Sequence, residues 1–286
     1  MASWTFEAIG VPWSIDTPEV LPEALSASIT ERIDEFDRTY SRFRDDSLVA
    51  RVARDPGDYR FPDDITELFD LYSRFYDASG GAISPLVGEA LEHWGYDRNY
   101  RLVAQAGAPP KVAAFPDVLS LEGVTLQVLR PVRIDIGALG KGFLVDQVVE
   151  LIQAAGVNAG VVDASGDLRH FGGPPPRVGL EHPEDPTRVV GVVELSTMSL
   201  AASSPSRRQW APGVHHILDA LTGRPTGSIR ASFVLAESCA LADGLATALF
   251  VVEPAQLEEY FSFHWVIVDG DGSLRTSAEF PGEVFA

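Results

Sequence analysis

The chain has 286 residues, of which 45% are apolar and 22% charged, a composition typical of a folded globular protein and not of a disordered one. Its formal net charge of −19 disfavours binding to nucleic acids and to anionic membrane surfaces. A phosphate-bearing ligand would therefore need a cation or backbone N–H groups at its binding site.

The chain contains a single cysteine, Cys239, so no intramolecular disulfide can form. We interpret Cys239 as a small buried residue, since no histidine lies near it in the sequence. The N-terminal segment lacks the basic and apolar regions of a signal peptide, and no apolar run approaches the ~20 residues of a membrane span. For the chain as given, we therefore expect a cytoplasmic location.

Apolar residues spaced three and four apart predict two amphipathic helices early in the chain. The first covers residues 19–39. The second begins near Asp63 or Asp64, either of which could cap it, and buries Ile65, Leu68, Phe69, Tyr72 and Phe75. A third, short helix is predicted over Pro85–Trp94, with the proline in its first turn.

The rest of the chain mixes short strands with two further helices, and Pro174–Pro176 is too short a loop to separate domains. Strands and helices do not alternate regularly, which predicts an α+β fold in a single domain over residues 1–286. The predicted elements are a fourth helix over Lys141–Ala155, a fifth over Ala240–Val251, and strands over Val124–Leu129, Val161–Val162, Val189–Leu195, Ser232–Leu235 and Trp265–Val268.

A glycine-rich segment leads from a predicted strand into the fourth helix and runs Arg133-Ile-Asp-Ile-Gly-Ala-Leu-Gly-Lys-Gly142. Its glycines permit close backbone approach, and a helix N-terminus with Lys141 favours an anion. It is not a P-loop, because Gly142 stands where that motif has Ser or Thr. The alternative is a tight strand-to-helix turn with Lys141 in solvent.

Asp243 and Thr247 are four residues apart and therefore share one face of the fifth helix. A carboxylate with a hydroxyl or backbone carbonyl is the oxygen ligation that suits Mg²⁺. The alternative is an N-capping aspartate and a threonine that bonds back to its own helix.

Two polar segments complete the set of candidates. His215 and His216 should face opposite ways on a strand, and either imidazole suits acid–base work near neutral pH. The loop Ala201–Arg208 clusters hydroxyls and arginines that could grip a phosphate. The alternatives are surface histidines and an ordinary polar loop.

In this order, the segments resemble the FAD:protein FMN transferases, also called the ApbE family. The resemblance runs from about Phe6 to Val252. It rests on Ile9–Trp13, Tyr40–Ser47, Gly80–Pro85 with Trp94-Gly95, Asp135–Asp146, Val162–Leu168, the histidine segment ending at Gly223, and Asp243–Thr247.

The resemblance implies a T-fold-like α+β domain that binds FAD and Mg²⁺. A Ser or Thr hydroxyl of an acceptor protein would attack the FMN phosphorus, and AMP would leave. His216 would be the catalytic histidine, and Phe43 would lie beside the flavin ring. The implied FAD contacts are Ile9, Phe43, Ala82, Ile83, Ser84, Asp135, Lys141 and Leu218. The implied metal ligands are Asp243, Thr247 and the backbone of Ala138 and Ala246.

The chain departs from the family pattern at Ser84, Ser165, Pro205, Arg207 and Ala220. The implied metal ligands and His216 match the family pattern. They favour binding of FAD and Mg²⁺ more strongly than they favour protein flavinylation. The alternatives are an FAD carrier that does not transfer FMN, a pyrophosphatase that releases FMN and AMP, and an unrelated scaffold.

Overall fold

A computed structural model describes residues 1–285. The α-helices are α1 (Glu23–Tyr40), α2 (Leu48–Val52), α3 (Ile65–Ala78), α4 (Gly88–His93), α5 (Gly140–Ala154), α6 (Cys239–Ala248) and α7 (Pro254–Glu258). The strands are β1 (Ala2–Ala8), β2 (Val11–Thr17), β3 (Gly57–Arg60), β4 (Leu119–Glu122), β5 (Thr125–Val128), β6 (Gly160–Asp163), β7 (Asp167–Phe171), β8 (Arg177–His182), β9 (Asp185–Glu194), β10 (Ser199–Ser203), β11 (Gln209–Ala211), β12 (Val214–His215), β13 (Leu218–Asp219), β14 (Arg224–Pro225), β15 (Ile229–Ala236), β16 (His264–Asp269), β17 (Leu274–Thr276) and β18 (Gly282–Val284).

An eight-stranded sheet in the order β1-β2-β6-β7-β10-β15-β16-β17 forms the centre of the fold. Every neighbouring pair in it is antiparallel. Antiparallel sheets often leave one face in water, but here β15 is buried along almost its whole length. Both faces of the sheet are therefore covered, which confirms the predicted α+β class.

Helices α5 and α6 cover one face of the sheet. They pack against each other, and α6 packs on β10 and β15. Ser232 on β15 donates a hydrogen bond from Oγ to the Ala246 carbonyl oxygen at 2.6 Å, which ties the helix to the strand beneath it. Helix α6 ends at Ala248, three residues before the predicted Val251, and Cys239 is buried at its start, as expected.

The opposite face is covered by the small sheet β18-β9-β8. Leu180 and Val193 from this sheet join a hydrophobic cluster with Phe233 and Leu235 of β15. Val234 and Ala236, the alternate residues of β15, belong to the cluster on the helical side. The period of two along a strand thus divides β15 between two cores.

The N-terminal part adds α1, α3 and the three-stranded sheet β3-β5-β4 to the helical side. Asp64 precedes α3, but its side chain does not cap that helix. Its carboxylate instead accepts a hydrogen bond from the Tyr40 hydroxyl at 2.6 Å and pairs with Arg32. The predicted third helix is shorter than expected, since α4 begins at Gly88 and Pro85 lies in the turn before it.

The N-terminal hairpin of β1 and β2 was not predicted. Its register leaves Ile9 and Gly10 as a two-residue turn, and both have positive φ. Two positive φ values suit a tight hairpin, because they match the twist of the flanking strands. No helix within residues 1–285 is long and apolar enough to cross a membrane. The predicted single domain includes Ala286, which lies outside the described residues, and it stays a prediction.

Helices α5 and α6 cap each other where they cross. Asp146 on α5 accepts hydrogen bonds from the backbone N–H groups of Cys239 at 3.0 Å and Ala240 at 2.9 Å, in the first turn of α6. Asp243 on α6 accepts one from the backbone N–H of Gly142 at 3.0 Å, in the first turn of α5. A Cβ at Gly142 would overlap the Cys239 carbonyl oxygen, so glycine is required for this close approach.

Because these N–H groups are buried, we expect Asp146→Ala to lower the free energy of unfolding by roughly 2–4 kcal/mol, since each unsatisfied group carries its desolvation cost. Chemical denaturation followed by circular dichroism measures this change. Asp271→Ala is the control, because Asp271 accepts the Ser273 N–H at 2.9 Å in an exposed turn and should cost less than about 1 kcal/mol. Equal losses in the two variants would contradict the capping role.

Candidate functional site

A cavity of about 660 Å³ opens between the end of α1, the start of α5 and the segment 207–210. This volume lies within the range of roughly 300–1,000 Å³ common for small-molecule sites. Arginine, lysine and aromatic side chains dominate its wall. The lining includes Ile9, Tyr40, Arg42, Phe43, Arg44, Tyr96, Tyr100, Asp135, Gly137, Gly140, Lys141, Arg207, Arg208 and Trp210. Four of the predicted FAD contacts, Ile9, Phe43, Asp135 and Lys141, therefore share one cavity.

Asp135 lies at the start of the glycine-rich turn and is held on three sides. Its backbone N–H donates to the Pro85 carbonyl oxygen at 2.8 Å, and its Oδ1 accepts from the Gly137 N–H at 2.7 Å. Its Oδ2 pairs with Nε of Arg42. Both oxygens of the Asp135 carboxylate thus already have partners. A ligand in the cavity could therefore contact Arg42 as readily as Asp135.

The ring of Phe43 contacts two neighbours, Arg42 and Tyr100. The Arg42 guanidinium carbon lies 4.2 Å from its centroid, and the Tyr100 ring stacks on it at 5.2 Å with planes 6° apart. Tyr100 is 52% exposed and has a left-handed φ of 48°. A flavin ring that takes the place of one of these neighbours on Phe43 would displace Tyr100 more easily, because Tyr100 is the exposed one.

Ile9 contributes backbone strain to the cavity wall. Its φ of 45° lies in the left-handed region, where a β-branched residue is a rare outlier. Such strain persists only where surrounding structure imposes it and is concentrated at functional sites. The two-residue turn of the β1–β2 hairpin imposes this φ, and a contact of Ile9 with FAD stays a prediction.

Behind the cavity wall, Lys141 forms an ion pair with Asp167, whose side chain is fully buried. Asp243 is buried beside them. Burial, followed by the charge of Asp243, raises the pKa of Asp167 well above its usual value, and burial likewise raises the pKa of Asp243. Burial lowers the pKa of Lys141, but Asp167 and Asp243 raise it further, so its net shift is upward. The ammonium of Lys141 is thus the positive charge beside two buried carboxylates, and Lys141 is not free in solvent.

This arrangement fits a divalent cation. The raised pKa values favour a proton held between Asp167 and Asp243 in the ligand-free protein, and a bound cation would take the place of that proton. Oδ1 of Asp167 has no hydrogen-bond partner among the described residues. Within residues 1–285, no group of three or more His, Cys, Asp or Glu side chains is arranged to hold a metal ion. A metal here would therefore need hydroxyl and carbonyl oxygens as well, which Mg²⁺ accepts.

The predicted oxygen ligands lie on α6 and in the glycine-rich turn. Asp243 is in the middle of α6, which is capped by Ser238, so the N-cap alternative for Asp243 is wrong. Thr247 follows one turn later and is half-buried. The carbonyl oxygen of Ala246 already accepts from Ser232, and Ala138 lies in the turn before α5. Metal ligation by Ala138, Asp243, Ala246 and Thr247 stays a prediction.

The two adjacent histidines have different surroundings. His215 is buried, its Nε2 bonds the Thr226 carbonyl oxygen at 2.8 Å, and its Nδ1 accepts from the Ile217 N–H at 3.2 Å. The His216 ring lies 6.4 Å from that of Tyr96, and its buried Nδ1 has no partner within residues 1–285. Burial, and then the charge of Arg208, lowers the pKa of His216 to about 3. His216 is therefore neutral at pH 7 and is a weak base in the ligand-free protein.

The other predicted FAD contacts lie behind the wall. Ala82, Ile83, Ser84 and Leu218 are all buried and do not line the cavity. The Ala220 N–H donates to the Ala82 carbonyl oxygen at 3.0 Å, which joins the two segments. A proline at position 220 could not make this bond. The structure brings these residues together behind the cavity wall, and their contact with FAD stays a prediction.

Three other departures from the family pattern, at Ser165, Pro205 and Arg207, have visible consequences. Ser165 has a φ of 58°, a conformation that favours glycine, in the turn between β6 and β7. Pro205 and Arg207 lie in a short 3₁₀-helix, and Arg207 pairs with Glu181 at 2.7 Å. Arg207 and Arg208 both line the cavity, so the loop 201–208 does bring positive charge to it.

Sequence reasoning missed Asp167 and Arg42. Asp167 lies inside the quoted segment Val162–Leu168, and a carboxylate directly after a Ser-Gly turn was the available signal. Arg42 directly precedes Phe43, but no sequence feature showed that its side chain would be only 6% exposed. Both gain their importance from partners far away in the chain.

Cationic and aromatic side chains around one cavity, next to two buried carboxylates, define a candidate site for an aromatic ligand that carries phosphate and a metal ion. Comparisons with known proteins lead to the same class. A sequence model of the ApbE family matches residues 9–266, and the chain belongs to that family.

Curated relatives cover most of the chain. The FAD:protein FMN transferase of Klebsiella pneumoniae is 24% identical over 94% of this chain and 82% of its own length. The FAD:protein FMN transferase of Vibrio cholerae is 28% identical over 80% of this chain and 74% of its own.

Solved structures share the fold. The ApbE protein of Thermotoga maritima superposes with a TM-score of 0.84 at 23% identity and covers 96% of both chains. The flavin transferase ApbE of Vibrio cholerae superposes with a TM-score of 0.81 at 23% identity and covers 97% of this chain and 96% of its own. The predicted resemblance and its α+β fold are thereby confirmed.

We expect Asp243→Asn to leave the melting temperature of the ligand-free protein unchanged or to raise it. The amide oxygen can still accept the Gly142 N–H, and the repulsion with buried Asp167 disappears. Differential scanning fluorimetry measures this, with exposed Asp34→Asn on α1 as the control for loss of one negative charge. A collapse of ligand-free Asp243→Asn would show that the carboxylate is structural.

Proposed function

We propose that this chain is an FAD:protein FMN transferase that uses Mg²⁺, moves FMN from FAD to a Ser or Thr hydroxyl of an acceptor protein, and releases AMP. The observation that carries the proposal is the buried pair Asp167 and Asp243, with its single ammonium, directly behind a cavity lined by Arg42, Phe43 and Lys141. Family membership and the names of the curated relatives support the same reaction.

The glycine-rich turn and the two buried carboxylates would have separate tasks. Backbone N–H groups at the start of α5 and the arginines of the wall would hold the diphosphate. Asp243 and Thr247, with the carbonyl oxygens of Ala138 and Ala246, would hold the metal. Bound there, Mg²⁺ would neutralise diphosphate charge that the protein, at −19, opposes.

His216 is the residue best suited to receive the acceptor's proton. A new bond forms between the acceptor oxygen and the FMN phosphorus, and the bond from that phosphorus to the bridging oxygen of AMP breaks. The hydroxyl proton passes to the unpartnered Nδ1 of neutral His216. A nearby anionic diphosphate would raise the low pKa of His216, because negative charge stabilises imidazolium.

The flavin ring would replace Tyr100 on Phe43. Tyr100 is the exposed neighbour of Phe43, whereas Arg42 is buried and held by Asp135. The isoalloxazine would thereby gain an aromatic platform continuous with Tyr96, whose ring stands edge-on to Phe43 at 5.4 Å. Acceptor protein, cytoplasmic location, and the absence of nucleic-acid and membrane partners stay predictions.

One incubation separates transfer from its alternatives. The chain is mixed with FAD, Mg²⁺ and a Ser- or Thr-containing acceptor peptide, and products are followed by mass spectrometry. Covalent flavin on the peptide supports the transferase. Free FMN with AMP in equal amounts would identify a pyrophosphatase, and unchanged bound FAD would identify a carrier.

We expect EDTA to weaken FAD binding, because without a cation the diphosphate meets Asp167 and Asp243 directly. Titrations followed by flavin fluorescence, with Mg²⁺ and with EDTA, measure this affinity, and riboflavin serves as the ligand control because it carries no phosphate. Equal FAD affinity under both conditions would rule out the proposed metal role.

We expect His216→Ala to lower the turnover of FMN transfer by ~10²–10⁴-fold while FAD still binds, since a positioned imidazole typically contributes that much. His215 is unsuitable as a control, because both of its ring nitrogens are bonded in the fold. Neither His216 nor His182 lines the cavity of the ligand-free chain, so the control is chosen by position. His182→Ala is used because β8 belongs to the small sheet on the face of the large sheet opposite α5 and α6. Wild-type rates for His216→Ala would place the base elsewhere.

A further inference from the structure

Arg42 is a buried cation with unused hydrogen-bonding capacity. Its side chain is 6% exposed and its Nε pairs with Asp135, yet Nη1 and Nη2 have no hydrogen-bond partner among the described residues. An arginine cannot lose its proton to relieve burial, and buried polar groups almost always have a partner. The guanidinium lines the cavity, so a ligand there can supply the missing partner.

Arg44, Arg207 and Lys141 of the cavity wall are already engaged, and Arg208, which has no ion pair among the described residues, is exposed. Arg44 pairs with Asp37 at 3.1 Å and Asp46 at 2.8 Å, Arg207 pairs with Glu181 at 2.7 Å, and Lys141 pairs with Asp167. Arg44 and Arg207 are also much more exposed than Arg42, which weakens their interactions through solvent screening. Arg42 therefore combines burial with two free donors.

The surroundings fix the plane of the guanidinium. Its carbon lies 4.2 Å from the Phe43 ring centroid and 5.0 Å from that of Tyr96, while Asp135 holds the Nε edge. The two NH₂ groups, Nη1 and Nη2, are left without partners and form a planar fork. Such a fork matches the oxygens of a phosphate or carboxylate with two parallel hydrogen bonds.

The position favours a phosphate over the flavin ring. Arg42 is buried against Phe43, so a flavin ring that stacks on Phe43 would take the place of the exposed Tyr100 and not that of Arg42. Asp135, which holds Arg42, begins the turn that leads into the N-terminus of α5, where phosphates bind well.

We propose that Arg42 binds a phosphate oxyanion of FAD through Nη1 and Nη2, and that Asp135 is the positioning residue that holds the guanidinium for it. The proposal rests on FAD being the ligand, as proposed above. It assigns Asp135 an indirect role, since the predicted contact of Asp135 with FAD would pass through Arg42.

Calorimetric titration at fixed Mg²⁺ tests the proposal with FAD, ADP and riboflavin as ligands of wild type, Arg42→Gln and Arg42→Lys. We expect Arg42→Gln to weaken FAD and ADP by roughly 10–100-fold, the value of charge-assisted hydrogen bonds, and to leave riboflavin unchanged. Arg42→Lys keeps the charge but not the fork and should recover only part of the FAD affinity.

Controls separate folding from binding. Arg51→Gln is matched, because the Arg51 guanidinium also lies over an aromatic ring, 5.8 Å from the Tyr59 centroid, but outside the cavity. Its ligand affinities should equal those of wild type. If Arg42→Gln unfolds because Asp135 is left unpaired, Arg42→Gln/Asp135→Asn removes that charge and is titrated instead.

Distinct results overturn distinct claims. If wild type binds FAD and Arg42→Gln binds it equally well, the role of Arg42 is overturned and the proposed function stands. An equal loss of riboflavin and FAD affinity assigns Arg42 to the flavin ring and also overturns the proposal. If wild type does not bind FAD at all, the proposed function fails and this proposal fails with it.

Discussion

The reciprocal capping of α5 and α6 is the constraint on which the candidate site depends. Asp146 of α5 holds the first turn of α6, and Asp243 of α6 holds the first turn of α5. Gly142 allows the two backbones to approach closely enough for both interactions. The contact thereby sets the carboxylate of Asp243 beside the glycine-rich turn, where a phosphate and its metal would meet.

Charge distribution explains how an acidic chain can hold an anion. The net charge of −19 is spread over the whole molecule, whereas the cavity wall carries several arginines and Lys141. Just behind that wall, Asp167 and Asp243 share one ammonium. The cavity wall is thus positively charged where a diphosphate would bind, and the carboxylates behind it are negatively charged where a metal ion would bind. A metal–diphosphate complex requires this arrangement of charge.

Local patterns predicted the helices well, because the spacing of apolar residues such as Ile29, Ile33 and Phe36 directly determines the buried face. The hairpin of β1 and β2 was missed, although Val11, Trp13 and Ile15 alternate in the period of a strand. Arg42 and Asp167 were not predictable as site residues. Their roles come from burial and from partners on distant segments, which no local pattern encodes.

The most direct measurement of the central claim is a crystal structure with FAD and Mn²⁺, whose anomalous scattering locates the metal independently of its ligands. We predict an anomalous peak between Asp243, Thr247 and the diphosphate, with the flavin ring on Phe43 and Tyr100 displaced. A metal peak away from α6, or FAD bound outside the cavity, would contradict the account.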